Sequence, residues 1–506
     1  MPFFMETETA RINRLIRAGA GAGLSELEFF AREIVAWEKS GERREQIAGE
    51  AYYSGDHDIL ARKRTVIGPD GKLMVVENLP NAHVIDNQYG LMVDQKTNYL
   101  VGKPFTFNCE NKPYVQLLNK RFNAAFRRTL KYVCEDALNG GKGWLFVHYN
   151  EQGEMCFRRF PAYQVLPFWA DDDHTVLDAA ARLYLQEVWD GLAKKIVKRV
   201  ELFKPDGIYR YILDGSTLIP DVELGEYSAY ITRKTGEKVE TYNWNRFPLI
   251  AFKYNKKEIP LIRRVKSLQD GINGLLSDFE NNMEENPRNT ILILKDYDGE
   301  NLGEFRQNLA TYGVVKVREN GGVEALGVQV TAENYKSILE LFKKALIENA
   351  RGYDAKDERL SGNPNQMNIQ SMYSDIDLDA NGMETEFQAA FEELLWFVNQ
   401  DLINQGAGDF QQEEITVIFN RDILINESEA ITNCQNSVGI LSTETIVEQH
   451  PWTKDAQTEL ERLKKEKAEA VADYMGTFPN NPQGGGSNIP KGDQGCLLYT
   501  SDAADE

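Results

Sequence analysis

EIPLIRRVKSLQDGINGLLSDFENNMEE (258–285) decides the fold of this chain. Its apolar residues fall at Leu261, Val265, Leu268, Ile272, Leu275, Phe279 and Met283, in steps of four and three. That is the spacing of one face of an α-helix, which turns once every ~3.6 residues. Pro260 suits the first turn, where a missing N–H costs nothing, and Pro287 lies just past the end. A second stripe, Tyr335, Ile338, Leu339, Phe342 and Leu346, predicts another helix over 332–352. Between the two, TILILKDYD (290–298) and GVVKVREN (313–320), joined by NLGEFRQNLATY (301–312), read as a strand–helix–strand excursion. Two long helices therefore bracket a compact α/β insertion.

Upstream, SELEFFAREIVAWEKSGERREQIAGEAYY (25–53) opens with Ser25 and Glu28 at capping-box spacing and carries Phe29, Ile34 and Trp37 as a helical stripe that Gly55 ends. A second helix is predicted over 84–101, with Ile85, Tyr89, Met92 and Tyr99 on one side and Gly102-Lys103-Pro104 as the stop. A third is predicted over 112–138, through Phe122, Phe126, Leu130, Val133 and Ala137. After Asn139-Gly140-Gly141-Lys142-Gly143 come WLFVHYN, EMCFRRF, YQVLPFW, ARLYLQEVW, KRVELFK, GIYRYIL and SAYITRK, strand-like runs separated by turn residues. Helices followed by an antiparallel sheet, as far as residue 257, make this an α+β chain.

Downstream, DAKDERLSGNPNQMN (354–368) is rich in charges and turn formers and reads as an exposed loop. A long helix follows from 369 to about 404, with a kink expected at Gly382, and EEITVIF (413–419) is a strand. Residues 427–476 are helical with interleaved charges, and PNNPQGGGSNIPKGDQG from Pro479 has the composition of a disordered tail. The last residues, CLLYTSDAADE (496–506), break from that composition and read as foreign to the protein.

The chain has 506 residues and a net charge of −21, from 57 Lys+Arg against 78 Asp+Glu. That length calls for several structural units. A protein that grips DNA needs a basic face to neutralise phosphates, and this one cannot provide it globally. An acidic protein that meets DNA must let it slide past, or touch it at local basic spots. No apolar run reaches the ~18 residues that span a bilayer, and the N-terminus is not a secretory signal. The five cysteines are scattered, with no C-x-x-C pair, and read as reduced thiols.

Three clusters invite a chemical reading. Asp171-Asp172-Asp173-His174 offers metal-ligand types, but consecutive side chains do not easily converge on one ion. It supports a secondary reading, a metal-dependent hydrolase. Asp375, Asp377, Asp379 and Glu386 have partial calcium-loop spacing, yet Ala380 stands where the loop needs glycine, so a solvated helix face is the plainer expectation. Gly140-Gly141-Lys142-Gly143 is no phosphate-binding loop: a helix precedes it, a strand follows, and Gly143 replaces the required Ser or Thr. No cofactor is implied, and the chain is not read as an enzyme.

VIDNQYGLMVDQKTNYLVGKPFTF (84–107), DALNGGKGWLFVHYNEQGEMCFRRFPAYQVLPFWADD (136–172) and LSGNPNQMNIQSMYSDIDLDANGMETEFQ (360–388), in that order around the helix–insertion–helix block, resemble the portal proteins of tailed bacteriophages, of the siphophage head-to-tail connector type. The resemblance covers about 25–475 and implies a portal fold: α/β wing, two-helix stem, small α/β clip, long kinked helix and helical crown. Transferred to this chain, 1–25 is an N-terminal arm, 26–257 the wing, 258–285 and 332–353 the stem helices and 286–331 the clip. The tunnel loop is 354–368, the long helix with a wing strand 369–426, the crown 427–476 and the tail 477–506.

It further implies a twelve-subunit ring at one capsid vertex, assembled in the host cytoplasm and carried in the virion. Double-stranded DNA would pass through it, and the terminase large subunit, an ATPase, would supply the packaging energy. Major capsid, scaffolding and head-completion or adaptor proteins would be its other partners, with no membrane. Lys336, Lys343, Lys344 and Arg351 on the second stem helix, with Lys356 and Arg359 in the tunnel loop, are the expected phosphate contacts.

Overall fold

The computed structural model describes residues 25–67, 71–77, 79–235, 238–285, 291–297, 317–326, 332–354, 366–421, 426–453 and 456–476. The chain divides into two units, Met1–Leu424 and Ile425–Glu506. The first mixes helices and antiparallel sheets, as expected for an α+β chain, and the described elements of the second are helices.

Helices α1 (Glu26–Glu38) and α2 (Gly41–Tyr53) open the first unit. The Ser25–Glu28 capping box forms in both directions. The single helix expected over 25–53 is interrupted at Lys39, because Ser40 starts a new one by accepting a hydrogen bond from Arg43 N at 3.1 Å. A short hairpin, β1 (Thr65–Ile67) and β2 (Leu73–Val75), precedes α3 (Gln88–Val101), β3 (Thr106–Asn108), α4 (Lys112–Arg121) and α5 (Ala124–Gly140). The helix expected over 112–138 is thus two, split where Asn123 accepts from Ala125 N and Phe126 N.

Two antiparallel sheets follow. The smaller has the order β14-β4-β5, from β4 (Lys142–Tyr149), β5 (Met155–Pro161) and β14 (Leu249–Lys253). The larger runs β10-β9-β8-β7-β6, from β6 (Val165–Trp169), β7 (Leu177–Asp190), β8 (Ala193–Lys204), β9 (Gly207–Asp214) and β10 (Thr217–Pro220), with β11 (Tyr227–Ser228) also on β9. β12 (Ile231–Thr235) and β13 (Lys238–Tyr242) form a separate hairpin.

α6 (Ile262–Glu285) and α7 (Ala332–Ala350) are the two bracketing helices, and between them β15 (Ile291–Tyr297) pairs antiparallel with β16 (Val317–Leu326). The connecting helix expected over 301–312 lies outside the described residues. Pro260 stands ahead of α6, which begins at Ile262. α8 (Gln366–Asn404) is helical throughout its 39 residues, Gly382 included, and starts three residues earlier than expected. β17 (Thr416–Ile418) pairs with β3. The main core gathers Phe105, Phe126, Phe252, Phe387 and Phe391 from α5, α8 and the strands, where edge-to-face ring contacts at 5–6 Å add to burial.

In the second unit α9 (Glu427–Asn436) and α10 (Thr443–Gln449) are N-capped by Asn426 and Ser442, and α11 (Ala456–Gly476) packs on α10. This matches the helical expectation for 427–476.

Candidate functional site: the paired helices and their anchor

α6 and α7 lie side by side, running in opposite directions. Phe279 meets Tyr335 at 5.1 Å between ring centres, and seven residues along α7 Phe342 sits directly over Gly271, where a Cβ would come within 2.7 Å of its ring. The expected stripe of α6 does face inward at Leu261, Val265 and Ile272, and on α7 only Leu346 of its stripe is fully buried. Ile338 and Leu341 remain exposed on α7.

The polar side of α6 departs from the sequence reading. A plain amphipathic helix would leave it in solvent, yet Gln269, Asn273, Ser277 and Asn281 are completely buried. They recur every four residues and form one row along the helix. Opposite them runs 82–89, in which 84–87 was expected to be helical but has no regular structure, the helix starting at Gln88. Ala82 N donates to Asn281 Oδ1 (2.7 Å), Val84 N to Ser277 Oγ (2.9 Å), Asp86 N to Asn273 Oδ1 (3.1 Å) and Tyr89 N to Gln269 Oε1 (2.9 Å). Four helical residues rise ~6.0 Å and two extended residues ~6.6 Å, so the contacts of Ala82, Val84 and Asp86 stay nearly in step, and Tyr89 makes the fourth from the first turn of α3. Each buried N–H so satisfied avoids a penalty of about 1–3 kcal/mol. His57 closes the row, its Nδ1 2.8 Å from Asn273 Nδ2.

At the end of the pair where α6 begins and α7 stops, one carboxylate collects cations from several elements. Asp379 of α8 accepts from Lys96 Nζ of α3 at 2.8 Å, from Tyr254 OH at 2.6 Å and from Arg264 Nη1 of α6 at 3.1 Å, with Arg351 Nη1 at 3.7 Å. Burial by itself would raise the Asp379 pKa, but the Lys96 ammonium and these donors hold it below the usual carboxylate range. Burial lowers the Lys96 pKa, with Asp379 opposing it. The carbonyl of Arg351, a non-glycine residue at φ 53°, accepts from Lys96 Nζ at 3.0 Å. The buried ammonium therefore caps the C-terminus of α7 while it pairs with α8.

The basic residues expected on α7 separate into two pairs. Lys343 reaches Asp86 at 2.5 Å and Arg351 faces Asp379, so both are engaged inside the subunit. Lys344 is exposed, and exposed Lys336 has Glu340 at 3.9 Å one turn on. Lys356 and Arg359 lie outside the described residues.

Neither acidic cluster builds a metal site. Asp171 folds back on its own turn, accepting from Thr175 N, Thr175 Oγ1 and Val176 N. Asp173 faces Lys256 at 3.4 Å, whereas His174 turns to Glu258, Nδ1 to Oε1 at 2.8 Å, and stacks on Trp169. Asp171, Asp173 and His174 thus turn to three different partners. Among the described residues no group of three or more His, Cys, Asp or Glu is placed to hold a metal. The solvated face expected at 375–379 is corrected as well: Asp377 accepts from Tyr99 OH (2.5 Å) and Arg421 (3.0 Å), and Asp379 is the buried anchor. No helix among the described residues is long and apolar enough to cross a membrane.

The family model described as "Phage portal protein, SPP1 Gp6-like" matches residues 38–473. The portal protein of Bacillus phage SPP1 is 28% identical over 452 residues, 88% of either chain. That of Clostridium phage phiCD119 is 25% identical over 456 residues, 86% of this chain and 96% of its own. Among solved structures, a chain from the neck of an empty GTA particle, computed with C6 symmetry, aligns with 79% of this chain and 96% of its own, at 11% identity and TM-score 0.38. The family match takes in the helix pair, its polar row and the Asp379 anchor, and this chain belongs to the SPP1 Gp6-like family of phage portal proteins.

Proposed function

We propose that the chain is one of twelve subunits of a ring at a capsid vertex, through which double-stranded viral DNA is packaged and later ejected. The observation that carries this reading is the family match over 38–473, which contains both α6 and α7. In the ring the two helices form the stem, 286–331 the clip, 354–368 the tunnel loop, 26–257 the wing and 427–476 the crown. The clip receives the terminase large subunit during packaging and a head-completion protein afterwards, and the wing meets capsid and scaffolding proteins. The subunit performs no catalysis, and the terminase hydrolyses ATP. The net charge of −21 suits a duct that must not hold its cargo, because a mostly acidic wall releases few counterions from a phosphate backbone.

Electron microscopy of the purified protein tests this. The expected result is a ring of about twelve subunits with a central hole; a stable monomer at micromolar concentration would overturn it.

Phosphate contact falls to Lys336 and Lys344 on α7 and to Lys356 and Arg359 in the tunnel loop, while Lys343 and Arg351 hold the helix in place. Replacing Lys356 and Arg359 together by glutamine is expected to leave ring assembly intact and to lower DNA packaging roughly tenfold, since two local cationic contacts are lost. Normal packaging by that variant would remove the tunnel loop from the account.

A further inference from the structure

β7 and β8 outrun their sheet. Strand β6 pairs with β7 only up to Arg182, and β9 meets β8 only from Arg199 onward. Residues 185–198 therefore project as a bare two-stranded arm, about 20 Å long at ~3.4 Å per residue. A lone hairpin is marginal in water. This one nevertheless displays apolar side chains: Leu185, Ile196 and Trp189 share one face, and Leu192 at the tip is 100% exposed. The Lys194 ammonium lies 5.7 Å from the Trp189 ring, and Lys195 is exposed beside it. Apolar surface presented on an extended arm marks a contact with another molecule.

A matching receptacle lies at the opposite end of the same strand. A cavity of about 490 Å³ is lined by Trp169, Tyr230, Trp244 and Phe397, by Arg246 and Lys253 as well as Glu386 and Glu393, and by Leu177, the first residue of β7. The Nε1–H groups of Trp169 and Trp244 are buried with no acceptor among the described residues. Glu393 is ringed by protein, which raises its pKa to about 7 against the opposing pull of Arg246 and Lys253. The cavity walls are largely aromatic, and the arm presents the apolar side chains to match them.

We propose that the arm of one subunit docks on the next copy of this chain, seating Trp189 and Leu192 in that copy's Trp169–Trp244 cavity. Trp189 stands twelve residues beyond Leu177 on one continuous strand. The tip is thus about 40 Å from its own subunit's cavity and cannot reach it. Contact is possible only between copies, head to tail, and repetition of such a contact closes a ring. The inference rests on the ring proposed above and assigns part of its subunit interface.

Cysteine cross-linking tests it in the full chain. Leu192→Cys is combined with Ala389→Cys in the cavity wall, and separately with Val176→Cys, and each is oxidised mildly after assembly. Both pairs sit at exposed positions, and the single-cysteine variants control for native thiols. A ladder of covalent multimers from either pair, absent from the single variants, is the expected result. Rings visible by microscopy with only monomer bands from both pairs would overturn the arm contact and leave the ring standing. Absence of rings from the unmodified protein would instead remove the ring reading, and this contact with it.

Discussion

Replacing Asp379 by alanine is expected to destabilise the first unit by about 3–5 kcal/mol, because it strands a buried cation. Lys96 is 4% exposed and has two strong acceptors, the Asp379 carboxylate and the Arg351 carbonyl. Removing the carboxylate leaves the ammonium in the interior with a single carbonyl, and it leaves Tyr254 OH without the acceptor it has at 2.6 Å. Arg264 and Arg351 are exposed enough to be rehydrated, so most of the loss falls on Lys96. A drop in melting temperature of roughly 5–15 °C is the readout. The double change of Lys96→Met with Asp379→Leu is expected to recover most of it, since an apolar pair of similar volume avoids the desolvation cost. If the single and double variants melt together, the ion pair is not what holds α6 and α7 to α3 and α8.

Gly141→Val is expected to cost about 4 kcal/mol or more, among the largest effects of any single change in the chain. Gly141 is the whole turn between α5 and β4, at φ 82°. An L side chain there pays roughly 1–2 kcal/mol for the left-handed backbone. It also meets backbone, since a Cβ would stand 2.0 Å from the Glu258 carbonyl oxygen. Relief requires moving the 255–261 connection, which is held by Tyr254 N to Gly141 O and Leu261 N to Leu138 O, both at 2.9 Å, and by the Lys142–Glu258 ion pair. Gly191→Val, at φ 64° with open space around the Cβ, is the comparison and pays the backbone term alone. Urea midpoints for the two variants check this; equal shifts would show that the contact with Glu258 carries no weight. Because the displaced connection leads straight into α6, the Gly141 variant should also expose 255–261 to proteolysis.

Much of this architecture is legible in single elements. Ser25 and Glu28 announce a helix start because both halves of the capping box lie within four residues. The stripes of α6 and α7 and the strand runs from WLFVHYN onward announce themselves by apolar spacing alone. The breaks at Ser40 and Asn123 were readable in principle, since each is a good N-cap residue, but an apolar stripe that continues past them hides the interruption. The anchor was not readable. Lys96 and Asp379 sit among residues that usually face water, and nothing local marks a pair 283 positions apart as buried. The row Gln269, Asn273, Ser277 and Asn281 is periodic in plain view. It looks like an ordinary wet face until the segment at 82–89 is seen to lie on it.

That row acts as a vernier. Its teeth are set ~6.0 Å apart on α6, and the first three backbone donors opposite, Ala82, Val84 and Asp86, would recur every ~6.6 Å on an extended chain, so the two scales coincide over only a few marks. A small axial displacement of α6 would break all four hydrogen bonds together, and the next position that restores any of them lies a full tooth away. Sliding is therefore quantised, and a push along the helix axis is opposed by the 82–89 segment, which leads into α3. In the ring proposed above, α6 would act as a rack keyed into its housing at 82–89.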